Sequence, residues 1–201
     1  MVKVGVTGGI GAGKSTIAKA FATEFNTPLY IMDNQTKYVI NTNDELKKKL
    51  REQFGSDVFL EDGSYNTKLV SEVVFNNKEE LVKLSANIAP HLQADYDLYC
   101  ELHKNESYII VESAYFFEYN IESMVDFMVG VNATLPIRLS RAQFRDNATY
   151  DQVMARMKNQ MDHEEKMFLC DFIIENNDNC DFKQIDRLDV LFRKMNKLIK
   201  S

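Results

Sequence analysis

The chain is poor in the residues that build redox or metal centres, and it lacks the apolar runs that build membrane spans. Its three cysteines, Cys100, Cys170 and Cys180, are odd in number and form no C-x-x-C pair. That excludes a disulfide framework and fits inert thiols or small core residues in a reducing compartment. His91, His103 and His163 show no metal-ligand spacing with them, so no zinc site is expected. No apolar stretch approaches the roughly 20 residues that a bilayer span requires. Structured sequence begins too early for a signal peptide, so a cytoplasmic protein with no membrane partner is the expectation. No block of Lys and Arg is present to track a nucleic-acid backbone, and the formal net charge is −6. Both observations favour a small phosphorylated partner over DNA or RNA. Nothing repeats internally, no Pro- or Ser-rich linker divides the chain, and the pattern carries no information on oligomeric state.

What is present is globular: 201 residues, 45% hydrophobic and 27% charged, enough for one well-filled α/β domain. Short apolar, β-branched runs predict strands at residues 2–7, 29–32, 108–111, 126–131 and 172–174. Between them the pattern is helical. Leu81, Leu84, Ile88, Leu92, Tyr96 and Tyr99 recur at helical intervals, with Pro90 expected as a kink or boundary. Thr134-Leu135-Pro136 reads as a helix start, and Thr149-x-x-Gln152 as a capping box. Ile185, Leu188, Leu191, Phe192, Met195 and Leu198 mark a C-terminal amphipathic helix. Strands alternating with helices predict a parallel sheet of about five strands flanked by helices. We expect a single domain over 1–201, with its core at 1–33 and 105–201. A helical substrate-binding insert is expected near 34–104, and a short lid near 136–161, against which Met154, Met157 and Met161 pack as core.

Gly8-x-x-x-x-Gly13-Lys14-Ser15 is a phosphate-binding loop, the signature of the P-loop NTPase fold. Glycines at 8, 9, 11 and 13 let the backbone curl so that successive N–H groups point inward at phosphate oxygens. The N–H groups of Gly9, Gly11, Ala12, Gly13, Lys14, Ser15 and Thr16 are therefore candidates for binding ATP. The helix that follows adds the positive end of its dipole. Lys14 can reach the β- and γ-phosphates, and the Ser15 hydroxyl can ligate Mg²⁺. An apolar strand before the loop and a helix after it are the context the motif needs. GTPase signals are missing: no D-x-x-G occurs, and Asn77-Lys78-Glu79-Glu80 is a helical stretch rather than a base-reading loop. The acidic pair of larger ATPases is missing too, since Ser113 follows Glu112. A small ATP-dependent kinase remains.

Such an enzyme needs a group to orient the attacking hydroxyl. Asp33 and Glu112 stand at the carboxyl ends of the second and third predicted strands, where sites of parallel sheets gather. Asp33 is the candidate base, although Asp there is also a preferred helix cap. Glu112 is a candidate for the acceptor, for a Mg²⁺-bound water or for pairing with a lysine. Arg138, Arg141 and Arg145 share one helix face. Their planar forks suit the equatorial oxygens of a transferring phosphoryl group, Arg141 and Arg145 being the stronger candidates.

These pieces resemble the dephospho-coenzyme A kinase family over nearly the whole chain. Residues 7–16, TGGIGAGKST, follow that family's opening motif. Asp33 stands where the family keeps its catalytic aspartate. Phe54-Gly55 and Glu61-Asp62-Gly63 resemble a family segment between helices. Arg141 with Arg145, and Arg156 with Gln160, follow the lid's R-x-x-x-R and R-x-x-x-Q patterns. Residues 171–176, DFIIEN, resemble the strand whose Asn lies near adenine, which implies that role for Asn176. Glu112-Ser113-Ala114-Tyr115-Phe116-Phe117-Glu118 resembles a D-x-P-L-L-F-E segment, which implies that Glu118 faces the acceptor. The departures lie on the acceptor side. Gln35 replaces the second Asp of D-x-D, Lys37 stands nearest an expected Arg, and Ala89-Pro90 replaces His-Pro. The resemblance implies phosphorylation of the ribose 3′-hydroxyl of dephospho-CoA, with ATP and Mg²⁺. Those departures keep open a nucleoside or nucleoside monophosphate kinase, or a nucleotide-binding module without catalysis.

Overall fold

The computed structural model describes residues 1–75, 77–177 and 182–200. Its strands are β1 (Val2–Thr7), β2 (Leu29–Ile31), β3 (Tyr108–Glu112), β4 (Phe127–Asn132) and β5 (Phe172–Glu175). The sheet order is β2-β3-β1-β4-β5, and every pairing is parallel. The five-stranded α/β architecture read from the sequence is thus the one present. Helix α1 (Lys14–Phe25) follows the glycine loop. Then come α2 (Met32–Thr42), α3 (Asp44–Phe54), α4 (Thr67–Phe75) and α5 (Lys78–Leu102). The chain closes with α6 (Leu135–Asp146), α7 (Tyr150–Met157), α8 (His163–Phe168) and α9 (Phe182–Lys200).

Two compact units result, one of Met1–Ile31 with His103–Ser201 and the other Met32–Leu102. The first contains the sheet. All five residues of β3 are buried, as befits an inner strand of a parallel sheet covered on both faces. Val2, Val4 and Val6 of β1 alternate onto one core with Ile17 and Phe21 of α1 and Ile185, Leu188 and Phe192 of α9. Tyr108 of β3 closes that core with its ring against Phe192, at 5.5 Å between centroids. Its hydroxyl donates to Asp189 Oδ1 at 2.7 Å, so the polar tip of a buried aromatic is satisfied. Asp189 is also held by Arg193 Nε at 2.8 Å.

The second unit is helical and has its own core. Val39, Ile40, Leu46, Leu50, Val58 and Val70 are buried together, with Leu84, Ile88 and Leu92 of α5 against them. Pro90 does not bound a helix: α5 runs unbroken through it. A proline inside a helix costs about 3 kcal/mol or more. The stripe of α5 packed into this core offsets that cost, and Pro90 itself faces solvent. The expected capping box at Thr149 is present. Thr134 occupies the cap position of α6, but its side chain makes no cap bond. Among the described residues no helix is long and apolar enough to cross a membrane. Cys100 and Cys170 carry no disulfide, and burial pushes the Cys170 thiol up to about 12, which keeps it protonated. Cys180 lies outside the described residues.

Phe192 touches the rings of Phe21, Tyr108, Phe127 and Phe172. Phe192→Ala should lower the unfolding free energy by about 3–5 kcal/mol, the cost of a large cavity in a close-packed core. Urea or guanidinium titration reads this directly, and a loss below about 1 kcal/mol would contradict the packing described.

Candidate active site

The central strand β1 delivers the glycine loop between the carboxyl ends of β3 and β4, where ligands of parallel sheets collect. Two of its glycines are required by geometry. Gly11 and Gly13 have φ of 78° and 94°, conformations that side-chain-bearing residues seldom adopt. A Cβ at Gly11 would also strike the carbonyl of Arg138, and one at Gly13 the side-chain amide of Asn176. The curl uses some amides internally: Ala12 N donates to Gly9 O and Thr16 N to Gly13 O. The N–H groups of Gly11, Gly13, Lys14 and Ser15 have no acceptor among the described residues. Gly13 and Lys14 form the start of α1, so these free donors lie at the positive end of that helix. This is the geometry of a phosphate cradle.

Beside the cradle stands a buried carboxylate. Glu112, 4% exposed, ends β3, which is paired with β1 so that Val6 faces Glu112. Its Oε1 accepts from Ser15 Oγ at 3.3 Å and lies 3.7 Å from Lys14 Nζ. The structure thus brings Lys14, Ser15 and Glu112 together. Asp33 belongs to the second unit. Because Met32 already opens α2, Asp33 falls within the first turn rather than at the cap position, and it is exposed.

The loop is also held from outside by three side chains. Asn176, just past β5, donates its amide to Ala12 O at 2.8 Å. Arg141 supports that brace: Nη1 donates to Asn176 O at 2.7 Å, and Nη2 donates to Asn177 O. Gln160 Oε1 accepts from Ile10 N at 3.0 Å, while Arg138 Nε donates to Ile10 O at 3.2 Å. Arg138 is 6% exposed, and burial lowers its pKa against the pull of Asp162. The helix stripe therefore divides its roles. Arg138 and Arg141 point to the loop and its brace. Arg145 is exposed and grips Asp146 at 2.7 Å, which in turn takes Arg156 at 2.9 Å; the two guanidiniums hold the Asp146 carboxyl down at about 2.

Glu118 is tied to α8. Its Oε1 accepts from Lys166 Nζ at 2.7 Å and from Met161 N at 3.0 Å, and Lys166, fully buried, also donates to Ala114 O at 2.7 Å. Nothing in the sequence distinguishes Lys166 from an exposed helix lysine. Met154, Met157 and Met161, expected from their spacing to be core, are not. With Met167, Arg138, Gln160 and His163 they line a cavity of about 740 Å³ that reaches Gly9. Val153 is the buried residue of α7.

His163 is equally unmarked in the sequence. Asn132 Nδ2 donates to the Glu175 carboxylate at 2.9 Å, which leaves Asn132 Oδ1 to accept from His163 Nε2 at 2.8 Å. The proton therefore resides on Nε2, and Nδ1 is buried without a partner. A Cβ on Gly9 would lie 3.0 Å from that nitrogen. Burial, then the charges of Arg138 and Lys166, push the imidazole down to about 4 from 6.5. Between those values the unfolded chain takes a proton that the native state refuses, so stability falls as pH drops from about 6.5 to about 4. His163→Gln should make urea unfolding less pH-dependent across that window. An unchanged pH slope would show that His163 is not held neutral.

The chain matches the family model for dephospho-CoA kinase over residues 2–181. It is 34% identical to the dephospho-CoA kinase of Bacteroides fragilis over 176 residues, covering 87% of this chain and 84% of that one. With the enzyme of that name from Listeria innocua it shares 30% identity over 196 residues, 96% and 97% of the two chains. In fold it is similar to the dephospho-CoA kinase of Campylobacter jejuni, with TM-score 0.66, 24% identity and 97% coverage of both chains. With its glycine loop, five-stranded parallel sheet and match across most of its length, this chain belongs to the dephospho-CoA kinase family.

Proposed function

We propose that the protein transfers the γ-phosphoryl group of ATP to the ribose 3′-hydroxyl of dephospho-CoA, giving CoA and ADP. One observation supports this most: a curled loop with free N–H groups beside Lys14 and Ser15, in a chain whose curated relatives carry that enzyme's name. In this reading the amides of Gly11, Gly13, Lys14 and Ser15 hold the phosphates. Lys14 neutralises charge that grows on the transferring group, the effect that dominates phosphoryl transfer. Gly9, Ala12 and Thr16 shape the cradle, their backbone groups serving the curl itself.

Mg²⁺ fits the residues present. It is a hard cation that takes one or two protein oxygens along with phosphates and waters, and the Ser15 hydroxyl beside the buried Glu112 carboxylate offers that donor set. Ser15 would ligate the ion directly, with Glu112 orienting its waters; the ion would draw charge off the β- and γ-oxygens when bound.

Asp33 is the proposed base. β2 is in register with β3 so that Ile31 pairs with Glu112, and Asp33 follows two residues later in the chain. Its carboxylate accepts the hydrogen of the attacking ribose hydroxyl. Arg141, already fixed to the Asn176 and Asn177 carbonyls, serves the nucleotide side together with Asn176. Arg145 would leave Asp146 to reach the transferring group. Residues 136–161 act as a lid that excludes water and limits wasteful hydrolysis. Residues 34–104 supply the acceptor surface, with Glu112 and Glu118 on the acceptor side of the core. The substrates are small and water-soluble, and we place the enzyme in the cytoplasm.

ATP consumption measured with dephospho-CoA and with a panel of nucleoside monophosphates tests the acceptor. Turnover is expected with dephospho-CoA, and turnover of a monophosphate alone would overturn the assignment. Asp33→Asn should lower kcat by about 10²- to 10⁴-fold, the usual reach of a general base, with ATP affinity unchanged. Near-normal turnover in that variant would remove Asp33 from the mechanism.

A further inference from the structure

We infer that Arg138 and Gln160 are positioning residues, which clamp both polar groups of Ile10 and thereby couple the 135–160 segment to nucleotide in the loop. The inference rests on reading the loop as the ATP site. Ile10 is the loop residue between Gly9 and Gly11, and both its backbone groups are bonded from outside the loop. Its N–H goes to Gln160 Oε1 at 3.0 Å and its C=O takes Arg138 Nε at 3.2 Å. An N–H can be satisfied only by an acceptor, so the Gln160 amide is held in one orientation. The two clamping side chains come from separate stretches, Arg138 from α6 and Gln160 from the residues after α7.

The clamp is built rather than incidental. Arg138 is 6% exposed and has no carboxylate partner within ion-pair distance among the described residues. Among the described residues its guanidinium's other hydrogen bond goes to Met157 Sδ at 3.7 Å. A buried guanidinium is costly unless its donors are used, and here its Nε is committed to a loop carbonyl. The glycines on either side leave room for this. A Cβ at Gly9 would lie 3.1 Å from Arg138 Cζ, and one at Gly11 would collide with the Arg138 backbone. Both neighbours of Ile10 thus give way to the same residue.

A consequence follows for dynamics. Phosphate binding orders the loop, and a segment bonded to both backbone groups of one loop residue must be ordered with it. On the other side, Met154, Met157 and Met161 line a cavity of about 740 Å³, and the clamp is the direct bond from this segment to the loop. Without Gln160 the loop still binds nucleotide, but the order no longer spreads to residues 150–160.

The test uses the whole protein and ADP as probe, with hydrogen–deuterium exchange read in peptides covering 8–16 and 150–160. In the wild type, ADP should slow exchange in both. In Gln160→Leu it should slow exchange at 8–16 only, the protection at 150–160 dropping by about fivefold, the effect of one hydrogen bond. KM for ATP should rise about fivefold as well, with kcat changed by less than about twofold. Gln160→Glu, which keeps an acceptor oxygen, should restore both readouts. Arg138→Met, whose side chain suits the surrounding methionines, should repeat the Gln160→Leu result if that first variant folds poorly. Wild-type protection at 150–160 in Gln160→Leu overturns the inference, as does a Gln160→Glu variant equally impaired. A wild type that fails to bind ADP overturns the reading of the loop, and the clamp with it. ADP binding without turnover of dephospho-CoA overturns only the acceptor.

Discussion

A loop that grips phosphate must hold several N–H groups pointing one way, which means leaving them without partners in the protein. That arrangement is unfavourable by itself, because backbone donors are normally bonded. Here it is enforced by partners for the neighbouring polar atoms of the curl. Gly9 O and Gly13 O are bonded within the loop, Ala12 O is bonded by Asn176, and both groups of Ile10 are bonded by Gln160 and Arg138. What is left over, the amides of Gly11, Gly13, Lys14 and Ser15, lies at the start of α1. Each brace comes from a different part of the first unit, so the cradle exists only once β5, α6 and the stretch after α7 have been brought to the end of β1.

Charge in this unit follows the same rule of partners. Glu112 is buried where Lys14 and Ser15 meet it. Glu118 is matched by Lys166, which also finds the Ala114 carbonyl. Removing one member of such a buried pair is far more damaging than the pair is stabilising, because the partner is left uncompensated in low dielectric. Both acids sit at the ends of the 112–118 segment, so the two ion pairs fix that segment against the loop at one end and against α8 at the other. His163 contributes by staying neutral: burial disfavours its charged form first, Arg138 beside it adds to that, and its Nε2–H is used on Asn132.

Much of this is legible in the residues alone. Periodicity locates the five strands because their apolar runs are short, continuous and bounded by turn residues, as burial within a covered parallel sheet demands. The loop is legible because its demands are local: glycine where φ is positive, lysine and serine at the start of a helix. Other readings fail where the outcome depends on distant contacts. Pro90 reads as a kink or boundary, yet it does not bound the helix: α5 runs through it, its side chains entering the second unit's core. Met154, Met157 and Met161 read as core from their spacing, but they surround a cavity, since spacing tells which residues share a face and not what lies opposite it.

The composition and the order of residues in this chain therefore determined its fold class, the position of its glycine loop and the strand end that carries Glu112. Those features arise from contacts within a few residues or from alternation along one element. Only tertiary structure decided that Arg138 and Gln160 bind the loop and that Lys166 is buried against Glu118. An arginine or lysine on a helix reads the same in sequence whether it meets water, a carboxylate or a loop carbonyl. What distinguishes these cases is the desolvation imposed by elements tens of residues away, and that is settled only when the chain has closed on itself.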